Sequence, residues 1–312
     1  MGIISLIGNI LSIGWHASGH WKELAIVRLL IINLSIADFL MGIYLTIIAS
    51  ANIYFAGTFA VNIEVWLRSA ICLLSSFLVA VSALMSTFIM FLITLDRYLL
   101  LVYPFESYRL SFCHTMMTSS IFWIITITFT SIPVLYGINQ PSDNRLHSNN
   151  AVCLPANIKN PYLLSWLLAY SGITFLIWII ISIMYAAIIV TLVQSKRDCN
   201  RQMSTTDKII LSKMIAIVAT DLICWLPFYF VVVLGLANSE LDTHILPFVA
   251  VLSLPLNSCI NPILYTIFTK TFLNFARRIV GSIRSICNVL HTTSRADLFK
   301  NRSYDQYSCK CD

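Results

Sequence analysis

Charge is what this sequence has least of. Asp, Glu, Lys and Arg make up 11% of its 312 residues, against about 25% in an ordinary soluble domain. A water-soluble fold this apolar exposes large patches and aggregates, so the solvent for much of the surface is lipid. The sequence has no CxxC pair, no His/Cys cluster at zinc spacing and no long Lys/Arg run to follow a phosphate backbone. Those absences exclude a thioredoxin-like motif, a zinc module and nucleic-acid binding. Cys309-Lys310-Cys311 is too short and isolated to be a metal site. Linkers, internal repeats and low-complexity tracts are also missing, which argues against a transporter built from inverted repeats.

What the chain has is apolar sequence: 58% of it is hydrophobic and its mean hydropathy is +0.81. A helix crossing the hydrocarbon core takes roughly 20 apolar residues. The stretches 25–51, 71–95, 115–136, 162–193, 209–236 and 245–268 reach that length. Met1 to Ile13 is apolar but covers only roughly 20 Å of a core about 30 Å thick. It lacks the basic n-region and cleavage site of a signal peptide, and reads as the cytoplasmic half of a spanning helix whose outer half is missing. With that segment as span one, only Arg68, Arg145 and Lys159 of the 20 Lys and Arg fall on the outer side. This positive-inside asymmetry puts the N-terminus outside and the C-terminus in the cytoplasm. After the last span, Phe272, Phe275, Ile279, Ile283 and Ile286 recur at helical spacing among Lys270, Arg277, Arg278 and Arg284, the pattern of a helix lying on the inner leaflet. The expected fold is an all-α membrane protein: a seven-transmembrane helix bundle over 1–268, a membrane-surface amphipathic helix over 269–287 and a cytoplasmic tail over 288–312. Cys287, at the end of that helix, reads equally as a palmitoylation site or a plain free thiol.

Polar residues inside spans are costly and mark function by default. Asp38 lies mid-way along the second span and Asp221 within the sixth; Asn9, Asn33, Asn257 and Asn261 add buried amides. Asn257 and Asn261, four apart, share one helical face. A lone Asn is commonly interhelical glue, whereas a mid-membrane carboxylate must find a cation, a proton or several donors. Asp96-Arg97-Tyr98 closes the third span, and Cys72 opens it roughly 37 Å away along the helix. Cys153 lies in the outer loop between spans four and five. A Cys72–Cys153 disulfide would staple that loop to the third helix; two free thiols are the alternative. Pro227, in Cys224-Trp225-Leu226-Pro227, and Pro262, in Asn261-Pro262-Ile263-Leu264-Tyr265, each remove a backbone hydrogen bond and kink their helix.

Taken together, Gly8-Asn9, Asn33-Leu34-Ser35-Ile36-Ala37-Asp38, Asp96-Arg97-Tyr98, Trp123, Tyr185, Cys-Trp-Leu-Pro at 224–227 and Asn-Pro-Ile-Leu-Tyr at 261–265 occur one per helix and in order. The ordered set resembles the rhodopsin-like G-protein-coupled receptors. Finer features are similar to the leucine-rich-repeat-containing branch, which includes the glycoprotein-hormone and relaxin receptors. These are Ala37 to Leu45, Gly57, Trp66 and Ser69 before Cys72, Asn257 to Pro262, Thr266 to Phe272, and Asp221 four residues before Trp225. Leu101-Val102-Tyr103-Pro104-Phe105 resembles the relaxin type most. Ile177 stands where the wider class has a fifth-helix proline, and Asp96 where this branch often has Glu.

The resemblance implies a two-state switch rather than an enzyme. Asp38, Ser86, Asn257 and Asn261 match the family's sodium-and-water pocket, with a bound sodium ion favouring the inactive state. Arg97 is expected to pair with Asp96 and with Asp207 at the inner start of span six. Their release lets Arg97, with Tyr98, Tyr185 and Tyr265, engage a G protein. Asp221, Trp225, Pro227, Asn261 and Pro262 form the activation hinge, with Asp221 reaching the Asn257/Asn261 face. The implied partners are a heterotrimeric G protein, an extracellular peptide or protein hormone, arrestin and the lipid bilayer, at the plasma membrane with cAMP signalling. A rhodopsin-like receptor for a small molecule or short peptide is the alternative. A retinal photoreceptor needs a lysine in span seven, and none lies between Ile245 and Phe268. His16, His20, His114, His147, His244 and His291 are assigned to loops or tails, away from any candidate nucleophile.

Overall fold

The computed structural model describes residues 1–18, 25–103, 110–138, 152–155, 157, 160–198, 219–230, 232–234 and 245–263. All of them belong to one compact unit, Met1–Tyr265; a second, Thr266–Asp312, lies outside the described residues. The expected amphipathic helix at 269–287, Cys287 and the tail at 288–312 fall there, and Asp207 and Tyr265 are likewise outside.

The described residues are helical: α1 (Gly2–Ala17), α2 (Ala25–Tyr54), α3 (Phe59–Leu67), α4 (Ala70–Val102), α5 (Phe112–Ile138), α6 (Pro161–Asp198), α7 (Ala219–Leu234) and α8 (Ile245–Pro262). Among them α2, α4, α5 and α6 are long and apolar enough to cross a membrane, and α1 and α7 are shorter apolar helices. Helices overrun the apolar stretches that announce them, because hydrogen bonding continues where hydropathy stops. α4 runs past the Asp96-Arg97-Tyr98 triad to Val102 and ends there, before a Tyr103-Pro104 step whose proline disfavours helical backbone in the residue ahead of it. It begins on a cap, with the Ser69 hydroxyl accepting from the Cys72 amide at 3.1 Å. α6 begins the same way, the Asn160 side-chain oxygen accepting from the Tyr162 amide at 2.9 Å.

Two assignments are corrected. α1 reaches Ala17 rather than stopping near Ile13, so His16 is a buried helix residue bonded to the Ser12 carbonyl at 2.8 Å, not a loop residue. His114 sits in the first turn of α5. His16 meets the Ser12 carbonyl, while His114 Nδ1 lies 3.0 Å from the hydroxyl of Ser111, contrary to the expectation that no histidine stands near a serine, because Ser111 caps the turn that carries His114. α3 is an element that a search for spanning runs misses: nine residues are too short to cross anything.

α4 is the central helix. Its most apolar window is 83% buried, against 17% for α5 and 28% for α6, and it packs on α2, α5 and α6, while α8 packs on α1 and α2. α5 shows what lipid does to patterning. It buries Thr115, Ser119, Thr126 and Thr130 and turns Ile121, Ile124, Ile125 and Leu135 outward. With hydrocarbon outside, apolar side chains gain nothing by turning in, and small residues let helices approach closely. α5 is fixed to α2 by Trp123 Nε1–H donating to Asn33 Oδ1 at 2.9 Å; Asn33 is half-buried rather than buried.

α1 and α2 meet even more closely. A Cβ added at Gly42 would lie 2.9 Å from Leu6 Cδ2 and 3.0 Å from the Leu6 backbone nitrogen. The backbone cannot retreat as a rotamer can, so Gly42→Val forces the helices apart at a cost of about 1–3 kcal/mol. Thermal melting of the detergent-solubilised protein should show a lowered midpoint; an unchanged one would place the two helices farther apart than this.

Candidate functional site

The polar core is built around Asp38, which is fully buried in α2. Each carboxylate oxygen accepts from α8: Ser258 Oγ–H donates to Oδ1 at 3.1 Å and Asn261 Nδ2–H to Oδ2 at 2.8 Å. Two more hydroxyls fasten the same stretch of α2 from other helices. Ser5 of α1 donates to the Asp38 carbonyl at 3.0 Å, and Ser82 of α4 to the Ala37 carbonyl at 2.7 Å. Asn9 ties α1 to α8, its Nδ2 donating to the Ser5 carbonyl at 2.8 Å and the Ser258 carbonyl at 3.1 Å. Gly8 leaves room for Pro262: a Cβ there would meet the Pro262 ring at 3.1 Å.

Beside this network is a small cavity lined by Met41, Ser82, Ala83, Ser86, Trp225, Asn257 and Ser258, with room for about one water-sized sphere. Ser86 also faces Asp38, but its hydroxyl closes no hydrogen bond of full geometry, and Asn257 Oδ1 and Asn261 Oδ1 have no partner among the described residues. The structure thus brings Asp38, Ser86, Asn257 and Asn261 together. It adds Ser258, Ser5 and Ser82, which sequence reasoning missed. Serines in membrane helices routinely bond back to their own backbone, and nothing in the sequence separates those that reach another helix.

α7 contributes the cavity's aromatic wall. Trp225 stacks on Tyr229 (centroids 5.6 Å, 22° between planes) and meets Phe228 edge-on at 5.6 Å. Asp221, one turn earlier, is fully buried, and neither of its carboxylate oxygens has a hydrogen-bond partner among the described residues. The expected link from Asp221 to the Asn257/Asn261 face is not closed here; Asn261 gives its amide to Asp38 instead.

At the inner end of α4, Arg97 Nε stands 3.7 Å from Asp96 Oδ2, with the two side chains 14% and 13% exposed. Tyr98 meets Tyr103 edge-on at 5.8 Å. Tyr185 of α6 is buried.

At the other end of α4 the Cys72–Cys153 disulfide is formed, with Cα atoms 5.4 Å apart. Hydrogen bonds reinforce it: Tyr44 O–H donates to the Val152 carbonyl at 2.8 Å, and Ser76 O–H to that of Cys153. The loop is therefore held to α2 as well as α4. Among the described residues, no three His, Cys, Asp or Glu side chains gather as a metal cluster.

The chain is similar to known proteins. Residues 10–265 match the family model described as "7 transmembrane receptor (rhodopsin family)". A G-protein coupled receptor of Lymnaea stagnalis is 29% identical over 289 residues, 91% of this chain and 25% of its own length. Human relaxin receptor 1 is 30% identical over 254 residues, 80% of this chain and 33% of the receptor. The cat thyrotropin receptor is 29% identical over 278 residues, 87% of this chain and 34% of the receptor. The chain thus spans between a quarter and about a third of the length of these relatives.

Proposed function

This chain belongs to the rhodopsin family of seven-transmembrane receptors, and from that premise we propose that it converts binding of an extracellular peptide or protein hormone into activation of a heterotrimeric G protein. It is a multi-pass plasma-membrane receptor, not an enzyme. The relaxin-like and glycoprotein-hormone-like reading, with cAMP as the messenger and arrestin as a second inner partner, draws on its likeness to relaxin receptor 1 and the thyrotropin receptor. In this reading the bundle has seven spans with the C-terminus in the cytoplasm, and hormone on the outer face shifts the population of a state that binds G protein on the inner face.

The observation that carries the proposal is the convergence of α2, α4, α7 and α8 on Asp38 and its cavity. A carboxylate buried without a basic partner in its contacts is expensive, and here it is held by hydroxyl and amide donors from α8. A switch requires such a joint to have a second arrangement of similar energy. The donor set suits a small hard cation: Ser86 Oγ, Asn257 Oδ1 and Asn261 Oδ1 keep unspent lone pairs near the carboxylate. Sodium would supply positive charge there, and Asp38, Ser86, Asn257 and Asn261 would hold it. In this reading Arg97 is the inner contact for G protein, Tyr185 and Tyr265 turn in to hold the open form, and Asp207 is the acid whose release frees Arg97.

The test is a sodium titration of nucleotide exchange on a G protein, using membranes that carry the wild-type chain or Asp38→Asn. Exchange by wild type should fall as sodium replaces choline, and the variant should be indifferent. Equal sodium sensitivity in both would remove Asp38 from the cation site.

A further inference from the structure

We propose that Trp166 of α6 is a clasp on α5: its indole N–H takes the place of the backbone amide that Pro133 removes, and so ties α5 to α6 and, through Tyr170, to α4. The clasp shares no residue with the Asp38 site, and it holds whatever the chain binds.

In an α-helix the amide of residue 133 donates to the carbonyl of residue 129. Pro133 is buried inside α5 and has no amide hydrogen, so the Phe129 carbonyl loses that donor. In a bilayer a neighbouring group has to replace it, because no water does. The two hydroxyls next in the chain are committed elsewhere. Thr130 O–H donates to the Thr126 carbonyl at 2.7 Å, and Ser131 O–H to that of Ile127 at 2.6 Å. The donor comes instead from the facing helix: Trp166 Nε1–H reaches the Phe129 carbonyl at 3.1 Å. An indole has one hydrogen to give and accepts none, so this bond commits the polar end of a side chain that is otherwise buried.

The indole ring is held where that bond needs it. It stacks on the Phe129 ring (centroids 5.7 Å, 28° between planes) and lies 5.3 Å from the Tyr170 ring, one turn further along α6. Tyr170 is buried, and its O–H donates to the Ala80 carbonyl of α4 at 3.2 Å. Past the proline, Tyr136 stacks on Tyr162 at 4.5 Å and accepts from Asn160 Nδ2–H at 3.1 Å, which pins the last turn of α5 to the head of α6. A slide or rotation of α6 that withdraws the indole leaves the Phe129 carbonyl unpaired among apolar groups, which is costly. A carbonyl served by its own helix is indifferent to its neighbours. One served by Trp166 couples the shape of α5 to the position of α6.

The experiment unfolds the full chain by SDS titration in mixed micelles, for wild type, Trp166→Phe, Pro133→Ala and the pair. Pro133→Ala gives the Phe129 carbonyl an amide of its own helix. Trp166→Phe removes the N–H together with some ring area, and the area is lost in both backgrounds. A net hydrogen bond corresponds to roughly a 3- to 10-fold change in the folded-to-unfolded ratio. The loss caused by Trp166→Phe should therefore be smaller by about that factor in the Pro133→Ala background than in wild type. Tyr170→Phe, which breaks the Ala80 bond, serves as control and should lose the same in both. Equal losses for Trp166→Phe in the two backgrounds would overturn the clasp. If Trp166→Phe alone does not fold, recovery of folded protein in the pair supports the clasp and no recovery overturns it. If Pro133→Ala does not fold, amide hydrogen exchange decides: Trp166→Phe should speed exchange over residues 134–138 relative to α2, and wild-type rates there would overturn the proposal.

Discussion

Asp38→Ala should leave almost no folded protein at the cell surface. The substitution strips the acceptor from two buried donors, Ser258 Oγ–H and Asn261 Nδ2–H, which now sit 3.1 and 2.8 Å from the carboxylate. A buried donor left without a partner costs about 1–3 kcal/mol, so the pair amounts to about 2–6 kcal/mol against a total stability of roughly 5–15 kcal/mol. The loss falls where α2 meets α8, and it also loosens the arrangement in which Asn9 and Ser5 bind neighbouring backbone. Asp38→Asn keeps one acceptor oxygen and nearly the same shape, so it should reach the surface in reduced but usable amounts. Surface staining beside the melting midpoint of solubilised protein separates the two variants. Wild-type amounts and midpoint for Asp38→Ala would mean that α8 is not anchored through this carboxylate.

The second large effect concerns the disulfide. Cys72 and Cys153 close a loop with a sequence separation of 81, and for a loop of that length the chain-entropy account gives about 4 kcal/mol. Removing it should make the Tyr44–Val152 and Ser76–Cys153 hydrogen bonds transient, since the covalent tether beside them is gone. Cys72→Ser, Cys153→Ser and the double variant should lose nearly the same stability, because the one bond is lost in all three. Losses in the double variant equal to the sum of the single ones would mean that the two thiols act separately and that the bridge is not formed in the cell.

What could be read from the sequence follows from how unusual each residue is in its surroundings. Asp38 and Asp221 stand out because a carboxylate inside a long apolar run has no bland explanation. Cys72 and Cys153 stand out because both fall on the outer side and one opens a span. Both prolines announce themselves as kinks, but the partner of Pro262, Gly8, is visible only once α1 and α8 are packed. The hydroxyl partners were illegible for a different reason. Ser5, Ser82 and Ser258 look like Ser75, Thr46 and Thr94, which merely bond back to their own helix at Ile71, Gly42 and Met90. Only packing decides which hydroxyl crosses to a neighbour. α5 shows the limit of patterning most clearly, since Thr126 and Thr130 turn in and Ile124 and Leu135 turn out. A reading that equates apolar with buried inverts that helix. The Asp221 expectation illustrates a third limit: the sequence places Asn261 within reach of two acids and does not say which one receives its amide.

The most direct measurement of the central claim, that this bundle is a switch acting on G proteins through the inner end of α4, uses the chain in lipid nanodiscs with purified heterotrimeric G proteins. The quantity read is the rate at which the G protein takes up a GTP analogue. The account predicts that the wild-type chain accelerates uptake for at least one G-protein class. It also predicts that Arg97→Ala, with an unchanged melting midpoint and the disulfide closed, falls to the rate of G protein alone. Uptake by Arg97→Ala equal to wild type, or no acceleration by a folded, disulfide-closed wild-type chain with any G protein, would contradict it.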